Sequence, residues 1–294
     1  MLFSHLLTAV RQPAERIVLA AGSEVGRLLV ELGVIDDCLD FSTLPMHELF
    51  ASAAPAADGA LARRLGPCER LVSCFAAGDQ TAEARLVALT GAKSSLFLPV
   101  RPEKGQRAHL LDFWADRAGL DETARRRLSS PAPWRARSQL RCSGRAAVQQ
   151  VGIGAAGEYA ILHIGSGSPA KCWPAERFEA LADALPMQAV FVVGPVEVER
   201  LGEGPIAALA GRRCTLVAPS LAVLAGALAE AAIFVGNDSG PAHLAAALGI
   251  PTLVLFGPTD PAHFAPRGRR VQVFRGEPLA DLPVPIIAAA ARGL

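Results

Sequence analysis

Residues 234–257, FVGNDSGPAHLAAALGIPTLVLFG, constrain the fold of this chain more than any other stretch. An apolar run ends in a turn of glycine, acid and hydroxyl residues. A short helix follows, and a second apolar run closes the unit. Two buried strands joined through a helix lie parallel in one sheet with both faces covered. Gly236 and Gly240 let the backbone bend and approach a ligand closely. Ser239 reads as the N-cap, and Pro241 sits near the first helical position, where a missing N–H costs nothing. Gly249 and Pro251 end the helix predicted over 242–248. Backbone N–H groups and the helix dipole converge on that turn, which suits an anion and above all a phosphate.

The same alternation runs along the whole chain. Strands are predicted at 16–21, 38–41, 70–75 and 95–98, among helices at 2–11, 23–32, 59–65, 81–89 and 109–119. From Pro131 to about residue 157 an irregular, basic, proline-bearing segment reads as a linker. The pattern then restarts with strands at 159–164, 189–193, 214–217, 233–235, 252–256 and 271–274. Helices fall at 174–185, 205–210, 221–229 and 282–292. The fold class is α/β with parallel sheets. Two units are expected, residues 1–150 including the linker and residues 151–294 with a terminal helix.

With 294 residues, 51% hydrophobic and 19% charged, the chain has ample material for such sheets. The formal net charge of +1, from 29 basic and 28 acidic residues, argues against nucleic acid as a partner. Seven arginines cluster at positions 125, 126, 127, 135, 137, 141 and 145. They read either as a solvated face or as a contact for an anionic membrane surface. The six cysteines show no CxxC and no Cys/His ligand spacing, so free thiols in a reducing cytoplasm are expected and no metal site is. The most apolar region, 216–236, is broken by Pro219 and Glu230, and residues 1–10 lack a basic signal-peptide start.

A second loop, HIGSGSPAKCWPAERF over 163–178, follows the first strand of the C-terminal half. Ligands bind at the carboxyl ends of strands in open α/β sheets. Gly165 and Gly167 free the backbone, Ser166 and Ser168 supply hydroxyls, and Lys171 brings a mobile positive charge suited to a diphosphate. His163 is either a buried structural histidine or a ligand contact. Asp238 either braces its turn or touches the ligand. His243, in the first helical turn, reads as a site residue over a packing one, and Trp173 as a packing anchor. No G-x-G-x-x-G follows the first strand of either half, which disfavours a dinucleotide oxidoreductase.

Together these motifs resemble glycosyltransferase family 9, the heptosyltransferase-like enzymes of lipopolysaccharide core assembly. The resemblance spans the C-terminal half through both loops, FVVGPVEVE, and Pro266-Arg-Gly. The N-terminal half is similar in pattern only, through RIVLAAGSEVGRLLVELGVIDDCLDF and HLLDFWADRAGL. The resemblance implies a GT-B fold of two facing Rossmann-like domains, the C-terminal one holding a nucleotide-diphosphate sugar. It further implies an inverting, metal-independent transfer to a lipid-linked glycan, with ADP-heptose as donor, no cofactor, and a cytoplasmic protein touching the inner membrane peripherally. By the same resemblance Ser166, Ser168 and Lys171 contact the donor diphosphate. Asn237, Asp238, Ser239 and Gly240 form the second wall with His243 beside it. Glu197 holds the ribose hydroxyls, with Glu199 as its competitor.

The family pattern starts with a strand and a Gly-Asp loop, whose aspartate is the expected base. Here residues 1–11 align with the helix after that loop, so the N-terminal domain is expected to lack its usual first strand. His5 and Asp36 are the remaining candidates for the base. Three accounts stand open: a longer true protein, a short member with another base, or a catalytically silent homologue that binds nucleotide sugars.

Overall fold

The computed structural model describes residues 2–12, 15–101, 105 and 107–294. Its N-terminal half runs α1 (Leu2–Val10), β1 (Val18–Ala21), α2 (Ser23–Glu31), β2 (Asp37–Asp40), α3 (Ala60–Leu65) and β3 (Arg70–Ser73). It continues with α4 (Gln80–Thr90), β4 (Ser94–Phe97), α5 (Leu110–Arg117), α6 (Glu122–Ser129) and α7 (Ser138–Gln150). The C-terminal half opens with β5 (Tyr159–His163), α8 (Ala175–Ala184), β6 (Gln188–Val193), α9 (Pro195–Leu201), α10 (Glu203–Ala210) and β7 (Thr215–Val217). It closes with α11 (Leu221–Ala229), β8 (Ile233–Asn237), α12 (Gly240–Ala247), β9 (Thr252–Phe256), α13 (Pro261–Phe264), β10 (Val271–Arg275) and α14 (Val284–Gly293).

The six C-terminal strands form one parallel sheet in the order β10-β9-β8-β5-β6-β7. From β5 the chain moves outward through β6 to β7. It then returns to β8 on the other side of β5 and moves outward again. The direction reverses between β5 and β8, so their loops diverge and leave a crevice at the carboxyl end of the sheet. Every residue of β5, β8 and β9 is buried, which is why these strands read as continuous apolar runs. One face is covered by Leu140 and Val148 of α7, Leu224 and Leu228 of α11, and Leu244 of α12. Phe178 and Leu181 of α8, Ile206 of α10 and Ile287 of α14 cover the other.

In the N-terminal half β1 pairs with β2 and β3 with β4, both in parallel. Among the described residues no strand joins the two pairs. No residue of β1 or β3 is fully buried, in contrast to β5. An apolar cluster with Leu49, Leu61 and Leu86 spans both pairs on one face, touching Leu39 and Leu71. Helix α1 bridges elsewhere: Leu6 packs with Leu98 and Trp114, while Leu7 joins the core shared with the C-terminal sheet. Arg70 of β3 adds a tie, donating to the Val10 carbonyl at 2.8 Å and pairing with Glu15 at 2.6 Å.

The segment expected to be an irregular linker contains α7, a helix packed on α11. Leu140, Gly144 and Val148 are its buried residues and form one stripe at four-residue spacing. A Cβ on Gly144 would lie 2.0 Å from the Ala227 nitrogen, and one on Gly226 would lie 1.9 Å from the Leu140 oxygen. Glycine on both helices is what lets their backbones touch. The arginine cluster is spread over separate local contacts. Arg125 pairs with Asp116, Arg126 with Glu122 and Arg141 with Glu230. Arg145 donates to the carbonyls of Gly154, Ala155 and Gly157 and lies over the Tyr159 ring. No helix among the described residues is long and apolar enough to cross a membrane.

Candidate functional site

The two loops singled out by sequence meet at the β5/β8 crevice. Residues 164–173 leave β5, with a 3₁₀ turn over Pro169–Lys171, and Asp238 and Ser239 lead from β8 into α12. Ser166 Oγ donates to the Asp238 carbonyl at 2.7 Å. Lys171 Nζ pairs with Asp238 Oδ2 at 2.9 Å, the lysine being about one-third exposed and the aspartate almost covered. Asn237 is fully buried and reaches across: Nδ2 donates to the carbonyls of Ile164 (3.0 Å) and Gly165 (3.3 Å), and Oδ1 accepts from Trp173 N–H at 2.9 Å. Trp173 is buried, meets Phe178 edge-on at 5.0 Å and donates its indole N–H to Leu282, the packing anchor expected of it.

Ser239 occupies the N-cap position of α12, but its side chain makes no cap bond. Its hydroxyl lies 3.3 Å from Nδ1 of His163 instead, so the expected hydroxyl cap is replaced by a tie to the end of β5. Burial holds the His163 imidazole down at about 4, hence neutral at physiological pH. In the first turn of α12 Pro241 has no N–H and Ala242 is fully buried, so the exposed Gly240 amide is the helix-end donor left for an anion. Gly167 is exposed and Ser168 half-buried on the opposite wall.

Glu197 sits on α9 beneath the first loop. It is 3% exposed; Oε2 accepts from Gly194 N–H at 3.0 Å, and Oε1 lies 3.8 Å from Arg200. A Cβ on Gly165 would fall 2.0 Å from its carboxyl carbon, so the carboxylate packs flat against the loop backbone. Arg200, which sequence reading did not single out, donates to the Ser166 carbonyl (3.3 Å) and to Cys172 Sγ (3.6 Å). Its spacing of three from Glu197 on a helix was the available signal.

His243 sits in α12, three residues beyond Gly240. Its Nδ1 is buried without a partner, and burial first, then the neighbouring charges of His5 and His109 among others, push the ring down to about 3. His5 is 2% exposed under the Trp134 ring (5.0 Å between centroids), also with an unpartnered Nδ1, and burial chiefly lowers it to about 4. Asp36 precedes β2, at the amino end of its sheet and away from the carboxyl-end loops. Its carboxylate accepts from Ile17 N–H (2.7 Å) and pairs with Arg11 (2.9 Å). Thus Ser166, Lys171, Asn237, Asp238 and Ser239 come together, while His5 and Asp36 do not join them.

With Lys171 on one loop and the N-terminus of α12 after the other, the switch-point crevice is the candidate anion site of this α/β sheet. The whole chain also superposes on a family 9 glycosyltransferase from Veillonella parvula, with TM-score 0.76, 18% identity, and 99% and 92% of the two chains covered. It superposes likewise on the Escherichia coli ADP-heptose lipopolysaccharide heptosyltransferase II, with TM-score 0.68, 16% identity, and 100% and 94% covered. The architecture is therefore GT-B. The profile of glycosyltransferase family 9 (heptosyltransferase) matches residues 127–283, more than half of the sequence, and the chain belongs to that family. A lipopolysaccharide heptosyltransferase 3 from Escherichia coli is 30% identical over 180 residues, 56% of this chain and 48% of that protein. The chain thus aligns with about half the length of that relative.

Proposed function

We propose that this chain binds a nucleotide-diphosphate sugar, ADP-heptose, in the β5/β8 crevice and transfers the sugar to a lipopolysaccharide or related envelope glycan. The observation that carries this is Lys171 held at 2.9 Å from Asp238, with the exposed Gly240 two residues on at the start of α12. In glycosyl transfer the sugar carbon becomes cationic while negative charge builds on the departing diphosphate. Fixed N–H donors, the Ser168 hydroxyl and the Lys171 ammonium stabilise that charge as it develops, the role a divalent cation fills elsewhere. An acceptor hydroxyl entering from the face opposite the diphosphate inverts the sugar carbon and gives its proton to a base. The acceptor side belongs to the N-terminal unit and the donor side to the C-terminal unit. The contact of α7 with α11 favours counting α7 with the donor side, which moves the boundary from 150/151 to the 131–137 stretch.

A second reading, binding without transfer, is favoured by the placement of the two base candidates. His5 is buried with a low proton affinity, and Asp36 is held at the wrong end of its sheet. Peripheral contact with the inner membrane, and a cytoplasmic location, accompany either reading. Incubation with ADP-heptose and heptose-deficient lipopolysaccharide separates them. Release of ADP with heptose incorporation supports transfer, and donor binding without turnover, even with extract-derived acceptors, supports the silent reading.

A further inference from the structure

At a switch point the two flanking loops leave in opposite directions, so no covalent crossover fixes the distance between them. In this chain that distance is set by side chains, and one of them is committed to nothing else. Asn237 ends β8 in register with Leu255 of β9, and the next residue, Asp238, donates its N–H to the Leu255 carbonyl at 3.0 Å. Its backbone is therefore part of the rigid sheet. Its amide grips both ends of the 164–173 loop, at Ile164 and Gly165 where the loop leaves β5 and at Trp173 where it enters α8. Both N–H donors and the carbonyl oxygen are used, in a site with no exposure. An amide so placed has one spare lone pair and no spare donor for a ligand.

We infer that Asn237 is a positioning residue: it closes the 164–173 loop into its ligand-ready shape before any ligand arrives, and does not itself touch the donor. This rests on the reading of that loop as the donor diphosphate site. The remaining ties act from the sides. Ser166 and Lys171 each bind Asp238, and Arg200 holds Ser166 and Cys172 from α9. Neither set replaces the Asn237 grip on Trp173 N–H. Without it the loop samples open shapes, and part of the binding free energy is spent in ordering it. Asn237→Asp keeps the acceptor for Trp173 but turns an oxygen toward the carbonyls of Ile164 and Gly165, so it opens the loop as well.

The test combines hydrogen exchange on the ligand-free protein with calorimetric titration of ADP, for the unmodified chain, Asn237→Ala and Asn237→Asp. In the unmodified chain Trp173 N–H is expected to exchange as slowly as the β5 amides. Both variants are expected to lose that protection and to bind ADP about tenfold or more weakly. Saturating ADP restores protection in Asn237→Asp, which keeps the acceptor for Trp173 N–H, because the ligand orders the loop, and leaves Asn237→Ala, which has no acceptor there, unprotected. Fast exchange at Trp173 in the unmodified chain overturns the inference without any variant having to fold. Equal ADP affinity in the variants, or weaker affinity with Trp173 protection unchanged, overturns it too, the latter pointing to direct ligand contact. If the unmodified chain binds no ADP, the donor-site reading fails and the inference falls with it.

Discussion

Among single residues, three histidines of lowered proton affinity, His163 and His5 buried and His243 half-buried, give this chain a defined acid sensitivity. His163 has no room for a proton: burial lowers it from the ordinary 6.5 to about 4. Between those values the unfolded chain takes up a proton that the folded chain refuses, so stability rises with pH across that window. The contribution is fully present above pH 6.5 and is lost progressively as pH falls toward 4. For His163 alone this amounts to about 3 kcal/mol. His5 and His243, lowered to about 4 and about 3, act in the same direction. Urea unfolding at pH 7 and pH 4.5 should show a clear loss at the lower pH, and His163→Gln should reduce the difference. A pH-independent unfolding midpoint would contradict the burial of these rings. The sequence placed His163 at a strand end but left its role open. Its burial and its approach to Ser239, which favour the structural role, come from the fold.

At the level of elements, the contact of α7 with α11 is the sharpest test of the packing. Gly144→Ala or Gly226→Ala would force a methyl group into backbone atoms that cannot give way. Overpacking of that kind is expected to cost about 2–3 kcal/mol, read as a lower urea midpoint with an unchanged slope. A neutral result would mean that the helices do not touch there. This helix was not legible because two stripes share it. Leu140, Gly144 and Val148 form a narrow buried stripe with Gly144 against α11, while Arg137, Arg141 and Arg145 repeat at the same spacing and mask it. The central strands β5, β8 and β9 were legible because burial on both faces makes them apolar runs. Lys171 and Asp238 could be chosen from their chemistry, but their pairing could not. Neither could the grip of Asn237, whose partners lie 64 to 73 positions away.

Across the whole molecule the two halves differ in how their described strands join. The C-terminal sheet is continuous, with its central strands buried and its switch point dressed with a cation and a helix end. Among the described residues the N-terminal strands form two separate pairs, held together by α1, Arg70 and an apolar cluster, with none of β1 or β3 fully buried. The proposed donor binding therefore rests on a built crevice, while a base for the proposed transfer does not follow from the placement of His5 or Asp36. The central claim is that the β5/β8 crevice holds a nucleotide diphosphate through Lys171. Calorimetric titration of ADP into the unmodified chain and into Lys171→Ala tests it directly, with adenosine as the control. One ADP is expected to bind per chain, weakened in the variant by about 1.5–3 kcal/mol, the scale of a charge-assisted hydrogen bond, with adenosine affinity unaffected. No binding of ADP, or equal affinity in the variant, would contradict it.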